Sequence, residues 1–179
     1  MPRKLTHAEL QDRQAEICLS GEKIPLIVVL NNIRSLYNVG SVFRTADGIG
    51  VEKLYICGIS PIPPDSQITK TALGAEKTVA WKFFERATDA VKLAKSEGYK
   101  IVLLEQTQSS VLYQDFIPDG PTCLVLGNEN AGVSDELLSL ADTSVEIEMA
   151  GLKNSLNVSV AFGIVGYSIR NSYNVNRTA

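Results

Sequence analysis

Apolar and polar positions along this chain follow two rhythms. Five short apolar runs have the length and composition of buried strands: "LIVVL" (26–30), "KLYICG" (53–58), "KIVLLE" (100–105), "TCLVLG" (122–127) and "SVEIEM" (144–149). "TVAWKFF" (78–84) reads as a further strand. Between them run segments with helical spacing. Val39, Val42, Phe43, Ala46 and Ile49 recur at the interval of an amphipathic helix beginning near Asn38. "ATDAVKLAKSEG" (87–98) predicts a helix stopped at Gly98, and "SDELLSLA" (134–141) predicts one started by a serine cap. Thr6 and Glu9 have capping-box spacing, which predicts an N-terminal helix to Ser20, ended by Gly21. The last helix is expected over "LNVSVAFGIVGYSIR" (156–170). Its apolar residues cover nearly every face, which predicts a subunit interface.

Strands with continuous apolar runs, alternating with helices, predict an α/β fold with a parallel sheet covered on both faces. Ligands of such sheets gather at the C-terminal ends of strands. That rule selects 31–44, 105–110, 127–132 and 149–157, all rich in Asn, Gly, Ser, Glu or Gln. "ISPIPPDS" (59–66) reads as a proline-rich loop, and "SQITKTALGAEKTV" (66–79) as a mobile one. At 179 residues one domain is expected, with 1–25 as a short helical arm and 26–179 as the body.

Composition narrows the function classes. Hydrophobic residues make up 45% and charged residues 21%, as in ordinary globular proteins. No apolar run reaches the roughly 18 residues of a membrane span, and the first residues lack a secretory apolar core, so no membrane association is expected. Three scattered cysteines, Cys18, Cys57 and Cys123, read as free thiols of a cytoplasmic protein. A net charge of −3 argues against a broad basic surface but leaves room for a local one. His7 is the only histidine, so a histidine-based triad or multi-histidine metal site is not expected. Any catalysis would draw its reactive group from a cofactor.

Three polar clusters carry candidate chemistry. "LGNENAGVS" (126–134) holds Gly127, Gly132 and Glu129, suited to close backbone approach and to accepting hydrogen bonds; a plain turn into a helix explains the same residues. It lacks the Lys-Ser/Thr ending of a phosphate loop. "MAGLKNSLN" (149–157) offers Ser155 and Asn157, either of which can simply cap the next helix. "NNIRSLYNVGSVFR" (31–44) places Arg34 and Arg44 around a helix start, as solvated charges or as phosphate or carboxylate ligands.

Together, "NVGSVFRTADGIG", "LVLGNENAGVS" and "IEMAGLKNSLNVSVA" resemble the three ordered motifs of the SpoU/TrmH branch of the SPOUT methyltransferases, over about residues 26–170. The resemblance implies a Rossmann-like parallel sheet with a C-terminal deep trefoil knot, an exception to the rule against threaded chains. It implies a homodimer through the C-terminal helix region, S-adenosylmethionine as cofactor with S-adenosylhomocysteine as product, no metal, and methylation of a ribose 2′-hydroxyl in tRNA or rRNA. Compact size favours tRNA by analogy. The motif residues fall on Asn38, Arg44, Glu129, Ser155 and Asn157, the implied catalytic set. Cofactor contacts fall on Leu126, Gly127, Ile147, Met149, Ser155 and Leu156, with Leu104, Glu105 and Thr107 at the preceding strand end. Arg34, Arg44, Lys70 and Lys77 form the implied RNA-binding set. Arg44 would act as proton acceptor or as stabiliser of the alkoxide and phosphate; a guanidinium pKa of about 12.5–13.8 makes the first role demanding. Glu148 stands where relatives commonly have proline, and a side chain pointing inward would need a partner. Two other readings are a catalytically inactive RNA- or cofactor-binding relative of the same fold, and an unrelated ligand-binding α/β module with accidental motifs.

Overall fold

The computed structural model of the protein describes residues 2–20 and 23–178. Seven strands form one sheet in the order β3-β2-β1-β6-β4-β7-β5. They are β1 (Ile24–Asn31), β2 (Val51–Cys57), β3 (Trp81–Phe84), β4 (Lys100–Leu104), β5 (Val111–Leu112), β6 (Thr122–Leu126) and β7 (Thr143–Glu146). Every pairing is parallel, as expected. The helices are α1 (His7–Ser20), α2 (Leu36–Ile49), α3 (Ser66–Ala72), α4 (Ala75–Thr78), α5 (Ala87–Ser96), α6 (Asp135–Leu140) and α7 (Val158–Thr178).

Strand β1 shows why its sequence is apolar at every position. Leu26, Val28 and Leu30 join one core with Val39, Val42, Phe43 and Ala46 of α2 and Phe162, Val165 and Ile169 of α7. Ile27 and Val29 point the other way, into a second core with Ala90, Val91 and Ala94 of α5 and Leu137 of α6. A strand buried on both faces has no wet side to give to polar residues. Leu26 through Leu30 are fully buried.

Helix α2 carries two of the motif positions, and its placement is tightly specified. Ser35 caps it, accepting from the Asn38 N–H at 3.3 Å. Gly40 faces α3 so closely that an added Cβ would overlap the Ile68 carbonyl oxygen and Thr71 Oγ1. At the other end, the Arg170 guanidinium of α7 donates to the Ile49 carbonyl, where α2 exposes unpaired acceptors and negative dipole.

Several expectations change. The supposed mobile loop 66–79 is two short helices. Asp65 caps α3 by accepting from the Gln67 N–H at 2.8 Å, and Ile68, Ala72, Ala75 and Val79 are buried. Thr78 belongs to α4, so β3 begins only at Trp81. Strand β7 ends at Glu146, leaving Ile147 to Met149 in the following loop. The last helix starts at Val158 and runs to Thr178. Much of its apolar surface is spent inside the chain, on Phe162, Val165 and Ile169, while Val160 and Tyr167 are exposed. The two-residue β5 was not anticipated. Gly21, the expected stop of α1, lies outside the described residues, as does the side chain of Cys18. The capping box at α1 is formed: the Thr6 N–H donates to Glu9 Oε2 at 2.7 Å and the Glu9 N–H to Thr6 Oγ1 at 3.3 Å. No helix among the described residues is long and apolar enough to cross a membrane.

Cys57 and Cys123 are free and buried. Burial, with a smaller contribution from Asp89, pushes the Cys57 thiol up to about 12, and burial likewise raises Cys123. Both thiols are expected to resist alkylation at neutral pH until the chain unfolds, which a timed iodoacetamide labelling with and without denaturant would check. Gly40→Ala is expected to destabilise the fold by about 1–3 kcal/mol through overpacking between α2 and α3, read as a lower urea midpoint.

Candidate functional site

A cavity of about 650 Å³ opens at the C-terminal ends of β4, β6 and β7. Three strand ends and the loops that follow them build it: 104–106 at the end of β4, 126–132 at the end of β6 and 145–158 from β7 to the start of α7. Its apolar walls come from Leu104, Leu126, Val145, Ile147, Met149, Leu156, Val158 and Ala161. Polar groups come from Glu105, Gln106, Asn128, Glu129, Asn130, Glu146, Asn154, Ser155 and Asn157. This volume and mixture suit a ligand of nucleoside size with a polar tail.

The glycines of the middle loop are needed for close approach. A Cβ on Gly127 would sit 2.7 Å from the backbone carbon of Gly132. Gly132 has a φ of 65° and crosses the Glu105 carboxylate, so no other residue fits there without strain. Asn128 ties this loop down. Its Nδ2 donates to the Asn32 carbonyl at 2.6 Å, and its Oδ1 accepts from the N–H groups of Asn130 and Ala131. Glu105 holds the far side, accepting from the Gln106 N–H at 3.0 Å and the Val133 N–H at 3.2 Å.

A hydrogen-bond relay joins the three motif clusters. Asn157 Oδ1 accepts from the N–H groups of Ser159 and Val160, capping α7. That leaves its Nδ2 to donate to Asn38 Oδ1 at 3.0 Å. Asn38 Nδ2 is then the donor to Glu129 Oε1 at 3.0 Å. Each amide is oriented by the one before it, so the relay has a single self-consistent polarity. Glu129 also accepts from the N–H groups of Arg34 at 3.2 Å and Ser35 at 3.5 Å. Partial burial pushes its carboxyl up, but the hydrogen bonds from its own backbone, Arg34, Asn38 and Ser35 outweigh this and leave it below the usual carboxylate range.

Of the expected cofactor residues, Leu104, Glu105, Leu126, Gly127, Ile147, Met149, Ser155 and Leu156 line the cavity. Thr107 does not; its hydroxyl pairs with that of Ser144 at 2.6 Å. Of the expected catalytic set, Glu129, Ser155 and Asn157 line it, and Asn38 reaches it through the relay. Arg44 lies outside, about 9 Å further along α2, exposed and without an ion pair among the described residues. Arg34, Lys70 and Lys77 are exposed and also outside the lining. Lys70 and Lys77 sit on α3 and α4, which pack against α2. The Glu148 side chain is exposed, so its departure from proline buries no carboxylate. His7 is exposed on α1, away from the cavity. Asn128, Asn130, Glu146 and Asn154 line the cavity without having been singled out in the sequence, and Gln106, inside the expected 104–107 stretch, donates through Nε2 to the Asn154 carbonyl at 2.9 Å. An asparagine in a glycine-bounded turn was a signal for Asn128, and its place at a strand end was the signal for Gln106.

Because the Glu129 carboxyl is lowered in the folded chain, its stabilising contribution is present above the ordinary value of about 4.3 and is lost as pH falls through the lower folded value. Glu129→Gln is expected to lower stability by no more than about 0.5–1 kcal/mol at pH 7, since the residue is exposed and solvent screens its interactions. The gap from wild type should close in strong acid, which thermal melts of both proteins across pH 2–7 (about that range) would show.

The model of the SpoU rRNA Methylase family matches residues 25–167. A tRNA (guanosine(18)-2'-O)-methyltransferase of Escherichia coli strain K12 is 31% identical over 157 residues, covering 87% of this chain and 68% of that protein. A protein of the same description from Aquifex aeolicus is 35% identical over 146 residues, covering 79% and 67%. The crystal structure of the A. aeolicus TrmH/SpoU tRNA modifying enzyme superposes with a TM-score of 0.81 at 30% identity, over 94% of this chain and 86% of that one. The AdoMet-bound rRNA methyltransferase from Sinorhizobium meliloti gives a TM-score of 0.77 at 26% identity, over 84% and 57%. The matched segment takes in the sheet, all three cavity loops and the relay, and on that ground the chain belongs to the SpoU rRNA Methylase family.

Proposed function

We propose that the protein is an S-adenosylmethionine-dependent RNA methyltransferase acting on a ribose 2′-hydroxyl in tRNA or rRNA. The observation that carries this reading is the cavity joined to α2 by the Asn157–Asn38–Glu129 relay, which brings the three motif clusters to one place. Relatives named as tRNA 2′-O-methyltransferases and the AdoMet-bound neighbour support it. The cavity fits the cofactor: the apolar walls of Leu126, Ile147 and Leu156 suit an adenine ring, and the amide, hydroxyl and carboxylate groups of Gln106, Ser155 and Glu105 suit its polar parts. When bound, S-adenosylmethionine supplies an electrophilic methyl on a sulfonium.

The chain's own residues do the rest. Asn38 has both ends of its amide engaged, so it positions its neighbours and moves no proton. Glu129 pins the backbone of Arg34 and Ser35 and so fixes the start of α2. Arg44, free and exposed on that helix, holds the phosphate beside the target ribose and stabilises negative charge on the 2′-oxygen. Arg34 extends the anion-binding surface, and Lys70 and Lys77 complete it.

The same reading includes the deep knot, a homodimer and a cytoplasmic setting. The knot is supported by the path of the chain, which leaves β7 beside β4, forms the cavity loop and returns to pack α7 on α2. The dimer is supported by Val160 and Tyr167, apolar and aromatic side chains exposed at 50% and 46% on a helix whose Phe162, Val165 and Ile169 are in the core. Helix α1 serves as an arm to the body, in keeping with its exposed described surface, and the body begins with β1 at Ile24, two residues before the expected boundary.

The test is transfer of labelled methyl from S-adenosylmethionine to tRNA and, separately, to rRNA from cells lacking the protein. Label at ribose in one pool is the expected result. Arg44→Ala is expected to lower the rate at least about 100-fold while leaving cofactor affinity within about 2-fold by calorimetry. Cofactor binding without any transfer by the wild type would favour the inactive relative instead.

A further inference from the structure

Three acidic residues, Glu105, Glu129 and Glu146, line the cavity, and among the described residues no lysine, arginine or histidine does. Each accepts hydrogen bonds from neighbouring groups. Glu146 accepts from the Ser110 hydroxyl at 2.6 Å, Glu105 accepts two backbone N–H groups, and Glu129 accepts two more and the Asn38 amide. The lining is thus acidic, while Arg34 and Arg44 stay outside it. Apolar walls and volume alone would accept any adenosine compound; the charge distinguishes among them.

We propose that Glu105 and Glu146 are specificity-determining residues that select a cationic cofactor over its neutral product and over anionic adenine nucleotides. The inference rests on the cofactor reading above. The charge balance is simple. On transfer the C–S bond breaks with its electron pair left on sulfur, an O–C bond forms, and the hydroxyl proton departs to solvent. The cofactor's ammonium and carboxylate cancel, so its net charge falls from about +1 to 0 as the sulfonium becomes a thioether. The carboxylates lose their electrostatic partner at that moment, and the cavity grips the product less than it gripped the cofactor. Nucleotide phosphates and the RNA backbone are repelled by the same field and kept to the arginines outside.

Calorimetric titration of the full chain tests this with S-adenosylmethionine, the cationic non-transferring analogue sinefungin, S-adenosylhomocysteine and ATP. In Glu105→Gln and Glu146→Gln, each checked for an unchanged fold by circular dichroism, the preference for both cations over S-adenosylhomocysteine is expected to fall about 3- to 10-fold. ATP affinity should rise in the same variants. In wild type the preference should shrink as salt rises from about 0.05 to 0.5 M. Equal weakening of cationic and neutral ligands would overturn the inference and leave the cofactor reading standing. If either variant does not fold, a wild-type preference unaffected by salt overturns it alone. Failure of wild type to bind S-adenosylmethionine or S-adenosylhomocysteine would instead remove the cofactor reading, and this inference with it.

Discussion

The start of α7 needs an acceptor for its first N–H groups, and Asn157 supplies one. This local requirement has distant consequences. With Asn157 Oδ1 committed to the cap, its amide nitrogen donates to Asn38 of α2. Asn38 is then turned so that its own nitrogen meets Glu129. Segments 119 and 91 residues apart in sequence are joined by two hydrogen bonds of 3.0 Å. The relay thus links the packing of α7 on α2 to the cavity loops.

The sheet explains why polar chemistry sits where it does. Inside a parallel sheet covered on both faces, a polar side chain would be buried without water. Leu26 to Leu30 and Cys123 to Leu126 are accordingly apolar without a break. The polar residues come at the strand ends: Asn31 closes β1, Glu105 follows β4, Gly127 follows β6, and Glu146 closes β7. Three of these four strand ends contribute to the cavity, so its floor is set by where each apolar run stops.

Charge is separated across a short distance. Acidic residues line the cavity, and the arginines of α2 and its approach are exposed to solvent. An acidic chain can in this way present a basic surface to an anionic polymer and an acidic interior to a cationic ligand. The low net charge of −3 hides both.

Periodicity made the main elements legible because it is a local consequence of what each residue faces. The runs 26–30, 100–105 and 122–127 became β1, β4 and β6, and the spacing of Val39, Val42, Phe43 and Ala46 became α2. The motif residues Glu129 and Asn157 were legible as candidates from type and position. Short elements were not: α4 spans Ala75–Thr78 and β5 only Val111–Leu112, too few residues for either rhythm to show. Nor could the sequence say that α7 would spend Phe162 and Val165 on this chain's own core, that Gln106 would reach Asn154, or that Arg44 would stand clear of the cavity. The chain determined which positions are apolar and which carry polar groups, since that is written residue by residue. Which polar group meets which was decided only when the sheet order brought distant strand ends together, because a hydrogen bond depends on distance and direction in space and leaves no mark at either residue alone.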